Sequence, residues 1–233
     1  MVYTATKLIT KAFYLAKVVA RDLETVTGSE LEDGLDLLNA ELSFTATNPE
    51  LIPYYSEATL NAVVGQEKYF IANLIEPTSF TFNINNVRYG TLYQGRNKYF
   101  GISRVDNIRS LPFRWHIERT KGGSDLYLYF VPSDTFVLKI FGKYGLTSVT
   151  ASTDLELTYD LYYINYLKYV VASLIAAEWD IDIPAAVLRQ LEIYKNRVEN
   201  VSNPDLFNTK VSQLSGKNGL NWGDVNIGRG FRP

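Results

Sequence analysis

The chain has 233 residues, no cysteine and a single histidine, His116, with 23 basic residues against 25 acidic ones and a formal charge of −2. That length holds one large domain or two modest ones. Disulfide frameworks, thiolate metal sites and imidazole clusters are excluded, and the balanced charge argues against a dedicated nucleic-acid binder.

Lysines interrupt the apolar positions of "MVYTATKLITKAFYLAK", so the N-terminus does not read as a secretory signal. The longest apolar run, "VVASLIAA" at 170–177, is far shorter than the roughly 20 residues that span a bilayer. The expectation is a soluble, unexported chain with no membrane partner. Its 17 tyrosines hint at assembly, because a tyrosine ring is apolar while its hydroxyl tolerates water.

Residues 4–21 carry Ile9, Phe13, Ala16 and Ala20 at helical spacing, with Leu8, Ala12, Leu15 and Val19 widening the face. Lys7, Lys11, Lys17 and Arg21 gather with Tyr14 on the opposite side, giving a basic outer face. A second helix follows: Ser29 and Glu32 have capping-box spacing, Glu30, Glu32 and Asp33 suit the positive end of the helix dipole, and Leu31, Leu35, Leu38 and Leu42 form a stripe. "NPELIP" at 48–53 ends it.

From about residue 57 the period changes to alternation. "TLNAVVGQEKYFI" reads as a hairpin turning at Gly65-Gln66, and "FRWHIERTKGGSDLYLYFV" as a hairpin closed by Lys121-Gly122-Gly123. Between them "NNVRYGTLYQG" is a further strand and turn, and "TFVLKIFGKYG" adds one more strand. Residues 57–150 therefore read as an antiparallel sandwich or barrel.

Helical spacing returns at 159–179, apolar nearly all round in its second half, which marks a buried central helix. Pro184 suits the start of a last helix with Val187, Leu191, Tyr194 and Val198 inward. From 202 onward the chain is rich in Asn, Gly and Ser. Its scattered Leu206, Phe207, Leu220, Trp222, Ile227, Arg229, Phe231 and Arg232 fit an arm that orders on a partner.

The resulting expectation is an α+β fold. Helices from 1–56 and 151–201 form a four-helix bundle, 57–150 is an inserted antiparallel β domain, and 202–233 is an extended C-terminal arm.

No constellation reads as an enzyme, and no cofactor or metal is implied. Alternation puts His116 on the polar face with Arg114 and Glu118, where a lone histidine is ordinarily surface. Glu178, Asp180 and Asp182 cluster at a helix end without calcium-loop spacing. The basic face of the first helix reads as solvated on a monomer. Multiplied around a ring, it would contact DNA phosphates without sequence preference. A second reading makes the β domain a carbohydrate- or receptor-binding module using Tyr89, Tyr93, Trp115, Tyr127 or Tyr129. A hydrolase ranks last.

"YDLYYINYLKY" places Tyr159, Tyr162, Tyr166 and Tyr169 within about 80° of helical arc, with Tyr163 at the edge. Packing inside the bundle and contact between subunits both suit that stripe.

The segments "KLITKAFYLAKVV", "SELEDGLDLLNAEL", "LIPYYSEATLNAVVGQEKYFI" and "DLYYINYLKYVVASLIAAEWDIDIPAAVLRQLEIYKNRV" together resemble the head-to-tail adaptor proteins of tailed bacteriophages, and the pattern is similar to the adaptor-type tail tubular proteins. The resemblance implies a structural protein of the virion, located at the head-tail interface and assembled in the host cytoplasm. It implies a homo-oligomeric ring, usually dodecameric, docked under the portal protein. Such a ring extends the DNA channel, helps retain packaged DNA and offers tail and nozzle proteins a platform, with the C-terminal arm wedged into the portal.

Overall fold

The computed structural model describes residues 3–20, 25–101 and 103–202. The arm residues Leu206, Phe207, Leu220, Trp222, Ile227, Arg229, Phe231 and Arg232, and Arg21 of the basic face, lie outside the described residues.

Helix α1 spans Ala5–Ala16. The Thr4 side chain caps it by accepting from the Lys7 amide at 3.3 Å, and it buries Leu8, Ile9, Ala12, Phe13 and Ala16. It stops short of residue 21. Lys17 turns left-handed at φ 62°, and its amide donates back to Tyr14 and Phe13 carbonyls, leaving Val18 and Val19 outside the helix. Helix α2 spans Ser29–Phe44. The predicted capping box does not form, because Gly28 takes the cap position with no side-chain bond and Ser29 is already inside the helix.

Ten strands follow. They are β1 (Tyr55–Asn61), β2 (Lys68–Ala72), β3 (Leu74–Ile84), β4 (Val87–Gly90), β5 (Leu92–Tyr93), β6 (Arg109–Ser110), β7 (Arg114–Thr120), β8 (Gly123–Tyr129), β9 (Val131–Pro132) and β10 (Val137–Tyr144). One sheet runs β1-β10-β3-β4 and a second β2-β8-β7-β5, with β6-β9 a small third. The pairings are antiparallel except β5 with β7 and β6 with β9.

The predicted β7–β8 hairpin forms, its turn using Gly122 at φ 78°. The hairpin predicted about Gly65-Gln66 does not. The turn is there, with Gln66 donating to Val63 at 3.0 Å, but β1 goes to one sheet and β2 to the other. The β3–β4 hairpin turns through Asn85 and Asn86, both at positive φ as a two-residue hairpin of this hand requires. The inward residues of both large sheets, among them Ile71, Phe80, Phe82, Trp115, Leu126, Leu128, Leu138 and Ile140, form one hydrophobic cluster. Phe80 and Trp115 meet across it at 5.9 Å.

A short helix α3 (Arg96–Phe100) sits within this block, and α4 (Leu161–Glu178) and α5 (Ala185–Ser202) follow it. Thr4 bridges to Asp154, and the Leu155 amide donates to Tyr3 at 2.9 Å, so the start of α1 is stitched to the segment leaving the sheets.

The expected four-helix bundle with an inserted sandwich is not what the chain forms. Among the described residues the fold is α+β with five α-helices and three mostly antiparallel sheets. A four-helix bundle needs every helix to bury a stripe against two neighbours. Here α4 is apolar nearly all round and takes the other helices onto itself, whereas α2 buries only Gly34, Leu38, Glu41 and Leu42 and α5 only Val187, Val198 and Ser202. Instead, α5 packs on α4 and on the 3-10 turn Pro49–Leu51. No described helix is long and apolar enough to cross a membrane.

Candidate functional site

The tyrosines come first. Tyr159, Tyr163 and Tyr166 are buried, while Tyr162 and Tyr169 are half-buried. Tyr163, expected at the edge of the stripe, is its deepest member. It contacts Tyr159 at 5.4 Å, Tyr166 at 5.6 Å and Tyr54 at 5.7 Å. The helix begins only at Leu161, so Tyr159 precedes it and the continuous helical face is set by Tyr163 and Tyr166. Within the chain these rings therefore line the helical core. Burial raises the Tyr163 and Tyr166 hydroxyls well above the ordinary phenol range. Tyr166 donates to Glu41 Oε1 at 3.1 Å, and among the described residues the Tyr163 hydroxyl has no hydrogen-bond partner. At the rim Tyr169 stacks on Tyr194 of α5 at 5.5 Å.

The basic face changes shape. Lys7 and Lys11, one turn apart on α1, both sit over the buried Tyr3 ring, at 5.2 Å and 4.8 Å. Burial, then the nearby Glu156 carboxylate, push the Tyr3 hydroxyl up to about 12. Lys17 is exposed but has left the helix, so it does not continue the row. Lys168 of α4 joins it instead: Lys11, Tyr14, Leu15 and Lys168 line a shallow concavity of about 180 Å³.

At the far end of α5, the fully buried Ser202 meets Lys143 of β10, whose side chain is only 4% exposed. Lys143 Nζ donates to Pro49 O at 2.8 Å and shares a 2.9 Å bond with Ser202 Oγ, and Tyr55 donates to Ser202 O at 3.2 Å. The ammonium also lies 5.1 Å from the Tyr55 ring. Burial lowers the Lys143 pKa, with Glu76 and Glu50 opposing the shift. Alternation along β10 gave no sign of this burial. It places Lys143 with Lys139 on the outer face, and the Pro49 turn, Tyr55 and the end of α5 cover that end of the strand.

On the β block, His116 is not a surface residue as predicted but 2% exposed. Its two ring nitrogens lie 2.7 Å from Gln94 O and 2.7 Å from Glu118 Oε1. Tyr93, Tyr99, Phe100 and Tyr127 surround the ring. The covering residues come from β5 and α3, some 20 positions upstream, which strand alternation does not register. Arg96 donates to Glu118 through Nε and Nη2, one to each carboxylate oxygen, and with His116 it holds the Glu118 carboxyl down at about 2. Arg104 lies over the Tyr99 and Tyr129 rings, 4.3 Å and 4.8 Å from their centroids, and pairs with Glu67 at 2.7 Å. Around this cluster Leu92, Tyr93, Phe100, Val105 and Phe113 remain exposed, an apolar rim. Of the aromatics considered for carbohydrate, Trp115 is buried, Tyr89, Tyr127 and Tyr129 are half-buried, and Tyr93 is exposed.

Among the described residues no group of three or more metal-ligating side chains converges. Glu178, Asp180 and Asp182 are exposed at the end of α4 and beyond it, away from His116 in the sequence and on a different element. Comparison with protein-family models and with curated proteins finds no match.

Proposed function

We propose that the chain is a structural protein of a phage virion, a head-to-tail adaptor that forms a ring under the portal protein, extends the DNA channel, helps retain packaged DNA and carries the tail and nozzle proteins. In this reading it is not an enzyme, and twelve copies is the stoichiometry the family resemblance implies. The observation that carries the reading is the anchored root at Ser202. A lysine, a tyrosine and the Pro49 turn hold Ser202, the last described residue, and a docking arm needs such an anchored root.

The apolar rim of Leu92, Tyr93, Phe100, Val105 and Phe113 supports the same reading, because exposed apolar area beside ordered aromatics suits a protein that makes interfaces. The carbohydrate reading draws less support, since the ring best suited to stacking on a sugar, Trp115, is buried between the sheets.

The test is electron microscopy of the purified chain mixed with portal rings encoded by the same genome. The expected image is extra density on one end of each portal. Bare portals at saturating chain concentration would contradict the proposal.

A further inference from the structure

The row of lysines over Tyr3 and the concavity beside it form a feature that neither helix makes alone. Lys7 and Lys11 are four residues apart, so their backbones are about 6 Å apart along α1. Lys168 reaches the same surface from α4 and is held by Asn165 Oδ1 at 2.8 Å, with its ammonium 4.8 Å from the Tyr169 ring. Among the described residues no carboxylate pairs with Lys7, Lys11 or Lys168, whereas Lys68, Lys139 and Lys143 each have an acidic partner within 4 Å. Burial, then the charge on Lys11, lower the Lys168 pKa, as happens when two cations share a site with no anion between them.

We propose that Lys7, Lys11 and Lys168 form a binding site for the phosphodiester backbone of nucleic acid, centred on the concavity between α1 and α4. One strand of DNA presents a charge every ~3.4 Å of axis, so two lysines about 6 Å apart along α1 span roughly two phosphate steps. Tyr3 is covered by its own two lysines and offers no face to a base, so the site reads backbone and not sequence. The choice of nucleic acid over other polyanions rests on the adaptor reading; the site itself rests on the side chains alone.

The test is fluorescence anisotropy of a labelled 20-mer duplex titrated with the full chain at several salt concentrations. The variants are Lys11→Gln, Lys168→Gln and both together, with Lys121→Gln as a control far along the sequence on the β7–β8 turn. Each site substitution is expected to lower affinity roughly eightfold near 0.1 M salt and to flatten the log–log salt slope by about one, the contribution of one released counterion. Lys121→Gln is expected to change neither. Lys11→Arg keeps the charge and should keep the slope, which separates loss of charge from loss of fold, and Lys11 is exposed enough that its substitution leaves the core intact. Unchanged affinity and slope in the double variant would overturn the site. So would Lys11- and Lys168-dependent binding to phosphatidylserine vesicles with none to the duplex. Portal docking that survives while duplex binding fails would sink this site alone, and the reverse outcome would sink the adaptor reading alone.

Discussion

Lys143 Nζ in β10 lies 2.9 Å from Ser202 Oγ, the last side chain of α5, and this contact ties the end of the helical part to the outer face of a sheet. A buried ammonium costs stability unless its hydrogens are taken up, and here Pro49 O and Ser202 Oγ take two of them. Lys143→Ala removes both bonds and empties a buried site, leaving Ser202 Oγ and the Ile52 amide to bond Pro49 O, and should cost about 1–3 kcal/mol in urea unfolding. The pH dependence has a definite sign. The folded pKa is below the ordinary value of 10.5, so the native chain sheds this proton first. A penalty present below the folded pKa fades as pH rises toward 10.5. The stability gap between wild type and Lys143→Ala should therefore widen over that interval, and a constant gap would show that Lys143 is not desolvated.

Glu41 is predicted to behave in the opposite way to a surface acid. It is 9% exposed on α2, accepts from Tyr166, and burial raises its pKa above 4.5. The folded state then holds its proton more tightly, so stability falls as pH climbs from 4.5 through the raised value and levels off above it. Glu41→Gln keeps an acceptor for the Tyr166 hydroxyl and has no charge to bury. Its urea midpoint should match or exceed wild type at pH 7, with the advantage vanishing near pH 4. Parallel pH profiles for the two chains would refute this.

Tyr163 separates ring from hydroxyl. Its ring is at the centre of the tyrosine cluster, while its buried hydroxyl has no hydrogen-bond partner among the described residues. Tyr163→Phe is expected to be neutral or stabilising, and Tyr163→Ala to cost about 3–5 kcal/mol through the cavity it leaves. Equal losses in the two variants would mean that the hydroxyl is bonded after all.

Gly34 opposes two effects of similar size. Alanine is favoured over glycine inside a helix by about 1 kcal/mol. However, a Cβ at position 34 would collide with Ile9 Cγ2 and stand 3.1 Å from Phe13 Cε2, both on the buried face of α1. Ile9 is β-branched and fully buried, so it has little room to yield. Overpacking of about 1–3 kcal/mol should win, and thermal melting of Gly34→Ala should show a lower Tm than wild type.

Much of the local structure was legible because it follows from short-range periods. The alternation of β10 from Val137 to Phe141 and the apolar second half of α4 match the burial seen along them. On β7 and β8, however, His116, Ser124 and Asp125 are buried against it, and on α5 only Val187 and Val198 of the four expected residues are buried. What was not legible depends on residues distant in sequence. The left-handed turn at Lys17 shortens α1 and removes that lysine from the basic row, and nothing in "LAKVVA" marks it. Lys168 replaces it because α4 packs on α1, a tertiary fact. His116 is covered by α3, and Lys143 by the end of α5; strand alternation alone assigns both to solvent. The bundle failed for the same kind of reason, since counting amphipathic helices does not reveal that three of them share one central partner.

The most direct test of the adaptor account is mass photometry of portal rings mixed with the full chain or with a chain ending at Ser202. The account predicts that the full chain adds a fixed mass equal to one copy per portal subunit, and that the shortened chain, still folded by circular dichroism, adds none. Equal added mass from both chains would contradict the docking arm. No added mass from the full chain would contradict the adaptor itself.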